Sequence, residues 1–120
     1  MRRIPVSHRS HVTGFQSLGT GLTEHESALE RDFVTLSSFR DAGAVLTAQP
    51  VTIRFEHEGR RRRYTPDFRV AWSDGAIDIV EIKYRVDLRA NWYHLRPAFA
   101  AARAWAGARG ARFRVVTERG

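Results

Sequence analysis

Residues 64–84 read YTPDFRVAWSDGAIDIVEIKY, two apolar-rich runs joined by Ser73-Asp74-Gly75. A three-residue loop ending in glycine suits a β-hairpin, because its last position is left-handed. Pairing Trp72 with Ala76 across the loop sets every later rung of the ladder. Phe68 then faces Val80, and Asp67 lies directly opposite Glu81. Phe68, Val70 and Trp72 share a face with Val80 and Ile82. That apolar face must be buried, and a slip of one residue would turn it to solvent. The other face carries Ala71, Ile77 and Ile79 near the loop. It becomes polar only at the far end, where Asp67, Glu81 and Lys83 gather.

Directly opposed side chains have Cβ atoms about 4.5–5.5 Å apart. Two carboxylates at that separation repel each other, so a structural role does not account for them. A divalent metal between them does. Mg²⁺ takes oxygen ligands and keeps several waters. Asp67, one oxygen of Glu81 and the backbone carbonyl of Ile82 suit it. Lys83 is the single lysine among nineteen arginines. Arginine cannot give up its proton, whereas lysine is a compact charge whose pKa can be tuned. Here Lys83 would orient, or help to deprotonate, a water attacking a phosphate. Pro66 fixes the entry of the acid-bearing strand.

Working outward, Arg60 to Trp72 reads as one strand and Ala76 to Tyr84 as the next. Val45 to Glu58 alternates Val51, Ile53 and Phe55 against Thr52, Arg54 and Glu56, which predicts a further strand ending in a Glu58-Gly59 turn. Upstream, Leu22, Leu29, Phe33 and Leu36 repeat at helical spacing, predicting a helix over 24–40 that ends near Asp41 and Gly43. Thr23 and Glu26 match a capping box at its start. Downstream, an Ala-rich helix is expected over 91–108, bent or delayed by Pro97, then a last strand over 113–117. The order is αβββαβ, an α/β domain over 22–120 with a central mixed sheet flanked by helices. Residues 1–21 read as a basic, loosely held arm that orders on DNA. His8 and His11 form an H-x-x-H with no further ligand nearby in sequence, which reads as no zinc site.

The 120 residues carry a net charge of +7 with no cysteine, and 42% are apolar. That length and apolar content suit one domain with a real core, not a disordered chain. No apolar run approaches the roughly 20 residues of a membrane span. The basic N-terminus lacks the apolar segment of a secretory signal. Disulfide scaffolds, thiol catalysis and cysteine-type zinc sites are excluded. The charge favours a polyanionic partner, nucleic acid first. A cytoplasmic, nucleoid-associated protein encoded by a bacterium or phage is expected.

Pro66-Asp67, fourteen residues, then Glu81-Ile82-Lys83, behind a helix bearing a Glu, resembles the PD-(D/E)XK nuclease superfamily of restriction-endonuclease-like fold. More widely, HESALERDFVTLSSF, AQPVTIRF, YTPDFRV, DGAIDIVEIKY and FRVVTE resemble the N-terminal catalytic domain of TnsA-type transposon endonucleases, over residues 14–118. The resemblance implies a Mg²⁺-dependent DNA endonuclease, with Mn²⁺ as a substitute, cutting transposon 5′ ends beside a DDE transposase. It implies catalytic and metal-binding roles for Glu30, Asp67 and Glu81, and assistance by Lys83. Glu26 competes with Glu30 but already has a capping role. Members usually continue into a C-terminal domain, whereas this chain ends after the last core strand. The alternatives are a stand-alone phage, repair or defence nuclease with the same site, and a basic DNA-binding adaptor without cleavage. Arg61 and Arg63, on the face of Asp67 by strand alternation, and Arg85, Arg89 and Arg96 are the expected phosphate contacts. Arg69 lies beside Asp67 as a possible ion-pair partner. Trp92, Tyr93, Phe99 and Trp105 read as packing aromatics. Gln49-Pro50 matches a similar pair in the family.

Overall fold

The computed structural model describes residues 24–120. The arm over 1–21, the His8 and His11 pair and the Thr23 end of the capping box lie outside the described residues. Helix α1 spans Glu24–Arg40, as its periodicity predicts. Leu29, Phe33 and Ser37, four residues apart, form its buried stripe, and Glu30 is buried beside Leu29. Leu36, expected inside, is exposed because Ser37 takes the inward place after Phe33.

Strands β1 Val45–Ala48, β2 Ile53–His57, β3 Arg60–Tyr64, β4 Phe68–Ala71 and β5 Ile77–Ile82 follow. The sequence reads β1 with β2, and β3 with β4, as two continuous strands; the structure breaks both. The physical cause is proline, which has no N–H to give a ladder. Gln49, before Pro50, turns into the left-handed region at φ 45. Pro66 interrupts the second run. The two breaks lie side by side, since Gln49 N–H donates to the Asp67 carbonyl at 2.9 Å. The β2–β3 hairpin is therefore an excursion that leaves the main sheet at one proline and re-enters at the other. Thr52 and Thr65 hydroxyls, 2.9 Å apart, close its neck. Its tip is a two-residue loop in which Glu58 and Gly59 both have positive φ, 52 and 77. This is the twist that matches antiparallel strands.

Short helix α2, Arg85–Ala90, then helix α3, Trp92–Ala108, and strand β6, Arg112–Val116, complete the chain. The sequence reading placed no helix over 85–90, so α2 is an addition, and α3 is not delayed by Pro97, which sits inside it. The main sheet has the order β1-β4-β5-β6. Its first three strands are antiparallel neighbours, and β6 runs parallel to β5 after the α2–α3 crossover. Leaving aside the hairpin and α2, the order α1, β1, β4, β5, α3, β6 is the expected αβββαβ core, and the fold is α/β and restriction-endonuclease-like.

The β4–β5 register is the one the loop implies as far as Phe68; the expected rung of Asp67 against Glu81 is not formed, because the strand has already bent after Pro66 and the Asp67 N–H bonds to the Val80 carbonyl. Phe68 faces Val80 and Ala71 faces Ile77, while Trp72 N–H donates to the Ala76 carbonyl at 2.9 Å. Both faces are covered, as a sheet flanked by helices requires, and the acid-bearing face is covered as well as the purely apolar one. Phe68, Val70, Val80 and Ile82 pack with Leu29 and Phe33 of α1. Ile79 and Phe113 pack with Leu95, Ala98, Phe99 and Ala102 of α3. The small residues of α3 let it lie close on the face that carries the acids. Among the described residues no helix is long and apolar enough to cross a membrane.

The loop end of the sheet is held by charge. Asp41, after α1, accepts from Gly43 N–H, Ser73 N–H and the Ser73 hydroxyl. A Cβ on Gly43 would lie 3.0 Å from Ser73 Cβ, so a larger residue there would make Ser73 give by a few tenths of an ångström. Arg40 lies over the Trp72 ring at 4.6 Å. Asp78, 1% exposed, accepts from Arg112, Arg114 and the Trp72 indole at 3.0–3.1 Å. Burial by itself would raise the Asp78 pKa, but these hydrogen bonds and the Arg112 charge hold it below the ordinary carboxylate value. The ionised form therefore adds stability above the unfolded pKa of about 3.9, and that contribution is lost as pH falls through the lower folded value. Asp78→Asn should lower unfolding free energy by about 1–3 kcal/mol at pH 7. Urea titrations should show the gap to wild type narrowing below pH ~4.

Candidate active site

The far end of the β4–β5 hairpin holds the acids, each fixed by backbone. Asp67 sits at the bend between Pro66 and β4, where its N–H donates to the Val80 carbonyl at 3.0 Å. Its Oδ2 accepts the Ile82 N–H at 2.7 Å. Glu81 lies in β5 between β4 and β6, paired with Val115. Asp67 and Glu81 are 5% and 2% exposed, so neither carboxylate is an ordinary solvated surface group. Glu81 Oε2 lies 3.8 Å from Lys83 Nζ, and Oε1 accepts the Tyr64 hydroxyl at 2.6 Å.

The electrostatics follow from this crowding. Burial alone would lower the Lys83 pKa, but Glu81, Glu26, Asp67 and Asp87 outweigh it and raise the value above that of a free lysine. Lys83 is therefore an ammonium at neutral pH. Its stabilising charge is present below the ordinary lysine pKa and is lost only as pH rises through the folded value. Tyr64 is pushed well above its ordinary pKa by burial, by the Glu81 and Asp67 charges and by its bond to Glu81. It stays a neutral donor.

The structure brings Asp67, Glu81 and Lys83 together. Glu30 is buried on α1 at 7% exposure, and α1 packs on the opposite face of the sheet. Glu26, one turn earlier, is half-buried and belongs to the set of charges acting on Lys83. Among the described residues no group of three His, Cys, Asp or Glu is arranged to hold a metal ion. The donor set that does converge is two buried carboxylates, with the Ile82 carbonyl in the next peptide. Hard oxygen donors of that number fit Mg²⁺, which is commonly held by one or two carboxylates and completes its shell with water.

A family model described as TnsA-like endonuclease N terminal matches residues 46–118, more than half of the chain. The chain belongs to the TnsA-like endonuclease N-terminal family. No curated protein and no solved structure gives a match. The matched residues include Asp67, Glu81, Ile82 and Lys83; Glu26 and Glu30 precede them. Membership assigns nuclease chemistry, the hydrolysis of a phosphodiester bond.

The arginines are less concentrated than the sequence suggests. Arg61 and Arg63 are exposed on β3, opposite Glu56 and Arg54. Strand alternation does not carry them onto the face of Asp67, because the strand is broken at Pro66. On β3 itself, alternation groups Arg60 and Arg62 with Tyr64, the residue that reaches Glu81. Arg85 is half-buried, and its N–H donates to Glu118 at 2.9 Å. Arg89 and Arg96 are exposed, with Arg96 5.9 Å from the Tyr93 ring. Trp92 and Tyr93, expected to pack inside, are 45% and 78% exposed, although Trp92 meets Phe99 edge-on at 6.1 Å. Phe99 is core and Trp105 packs at its margin, as expected. A hollow of about 750 Å³ between Trp72, Asp78 and Arg112 opens at the loop end of the sheet, away from the acids.

Tyr64 is the site residue that the sequence reading missed. On an unbroken strand it would face away from Asp67; Pro66 as a ladder break was the available signal. With chelator present, Asp67→Asn keeps an acceptor for Ile82 and removes one of two like buried charges. It should be as stable as wild type or more so, by up to about 1 kcal/mol. Lys83→Met, leaving both carboxylates without that cation, should lose about 3 kcal/mol. Urea unfolding in chelator distinguishes these outcomes.

Proposed function

We propose that the chain is a metal-dependent DNA endonuclease whose site is Asp67, Glu81 and Lys83. The observation that carries this reading is two buried carboxylates, Asp67 and Glu81, acting on one lysine ammonium, inside a nuclease-family domain. Two like charges buried side by side are unfavourable in a purely structural role. Asp67, Glu81 and the Ile82 carbonyl would hold Mg²⁺, or Mn²⁺ in its place. The ion supplies a Lewis acid and neutralises charge on the phosphate. Lys83 would donate to a phosphate oxygen, or orient or help to deprotonate the attacking water. The expected products carry a 5′-phosphate and a 3′-hydroxyl.

Glu30 is proposed as the helix acid of the site, with Glu26 as its rival. Arg61, Arg63, Arg85, Arg89 and Arg96 are proposed to bind the DNA backbone, which gives position without sequence choice. The family resemblance supports cleavage at transposon 5′ ends beside a DDE transposase, in the cytoplasm.

Plasmid nicking with Mg²⁺ or Mn²⁺ tests the reading. Wild type should nick, and Asp67→Ala, Glu81→Ala and Lys83→Ala should each lose at least 10²-fold in rate. Absence of both cutting and Asp67-dependent Mn²⁺ binding would leave only a DNA-binding adaptor. Lys83→Arg should be as inactive as Lys83→Ala, since the planar guanidinium does not replace the compact ammonium. Glu30→Gln and Glu26→Gln, assayed in parallel, identify the helix acid: the one that belongs to the site loses activity, and the other retains it within about threefold.

A further inference from the structure

Tyr64 is fully buried, and its ring belongs to the core formed with α3. Phe99 and Phe113 meet it edge-on, at centroid distances of 5.9 and 6.2 Å. Its hydroxyl leaves that apolar cluster and donates to Glu81 Oε1 at 2.6 Å, a short, charge-assisted bond. A glutamate has three side-chain torsions, and burial alone does not choose among their combinations. The tyrosine ring cannot shift without disturbing Phe99 and Phe113. The bond therefore ties the Glu81 carboxylate to a buried aromatic cluster of the core. It also assigns the two oxygens: Oε1 faces Tyr64, and Oε2 faces Lys83.

We propose that Tyr64 is a positioning residue that fixes which oxygen of Glu81 is presented to the divalent cation. This rests on the metal-dependent reading above. Partners that orient a ligand from behind typically contribute 10–100-fold to metal affinity. The β2–β3 excursion acquires a role through it. The hairpin ends in Tyr64, and Pro66 re-enters the sheet two residues later, so one short stretch of chain delivers both the residue that aims Glu81 and the second acid, Asp67.

The test is Mn²⁺ binding by calorimetry on wild type, Tyr64→Phe and Phe99→Leu, with thermal unfolding of each. Tyr64→Phe keeps the ring and removes only the hydroxyl. It should bind Mn²⁺ 10–100-fold more weakly, and the Mg²⁺ concentration giving half-maximal nicking should rise by a similar factor. Phe99→Leu, which loosens the same cluster without touching the hydroxyl, should leave Mn²⁺ affinity within about threefold while lowering the melting temperature. Equal affinity in wild type and Tyr64→Phe, or equal weakening in both variants, overturns the proposal and leaves the nuclease reading standing. Wild type that binds no Mn²⁺ overturns both.

A second readout needs no substitution at Tyr64. With all three tyrosines fluorinated, Mg²⁺ should shift the fluorine resonance that survives in Tyr84→Phe and Tyr93→Phe, and Glu81→Gln should abolish that shift. An unmoved resonance in protein that binds Mg²⁺ overturns the proposal even where Tyr64→Phe is too unstable to assay.

Discussion

Asp67 Oδ2 accepts the Ile82 N–H at 2.7 Å, across the mouth of the β4–β5 hairpin. The ladder pairs Phe68 with Val80, and just beyond that pair the Asp67 N–H also bonds to the Val80 carbonyl, which leaves Asp67 at the same end of the hairpin as Glu81. The pairing is itself constrained from two directions. The Ser73–Gly75 loop counts the rungs from one end. The apolar set Phe68, Val70, Val80 and Ile82 must lie under α1, and a slip of one residue would expose all of it. The site is a consequence of how the sheet buries its other face.

The molecule keeps its two ends chemically distinct. At the loop end, Asp78 is buried with Arg112 and Arg114 bound to it, and Asp41 ties α1 to the turn. Charge there is compensated within the fold and stabilises it. At the other end, Asp67 and Glu81 lie beside Lys83, under the eye of Glu26 from α1. Two buried carboxylates of like sign strain that end. Such a division, compensated charge where the fold is held and strained charge where chemistry occurs, is the expected trade between stability and activity.

The β2–β3 excursion connects core and site. Pro50 and Pro66 expel it from the main sheet, Thr52 and Thr65 close its neck, and Tyr64 returns from it into the cluster around Phe99. Removing two strands from the ladder leaves the main sheet four strands wide. This is what brings β1 directly beside β4, with Gln49 bonded to Asp67. Gln49 at positive φ is a local cost of about 1–3 kcal/mol, offset by the backbone bond that it makes possible at the acid itself.

Local pattern alone was enough for α1, the β4–β5 register and the gathering of Asp67, Glu81 and Lys83 at one end of the hairpin, because each follows from nearest-neighbour rules: helical period, loop length and alternation. The family resemblance came from those same residues. Packing decided what lay beyond those rules. Alternation cannot see that Pro50 and Pro66 fall side by side, so it kept Arg61 and Arg63 on the face of Asp67 and turned Tyr64 away from it. Hydrophobicity cannot tell a sheet covered on one face from a sheet covered on two, since Ile77 and Ile79 suit either. Trp92 and Tyr93 look like core residues by type, yet α3 turns its alanines and Phe99 inward and leaves them outside. The acids are legible in sequence because a hairpin is local. The residue that aims one of them is not, because its contact with Glu81 spans a broken strand and exists only once the core has closed around Tyr64.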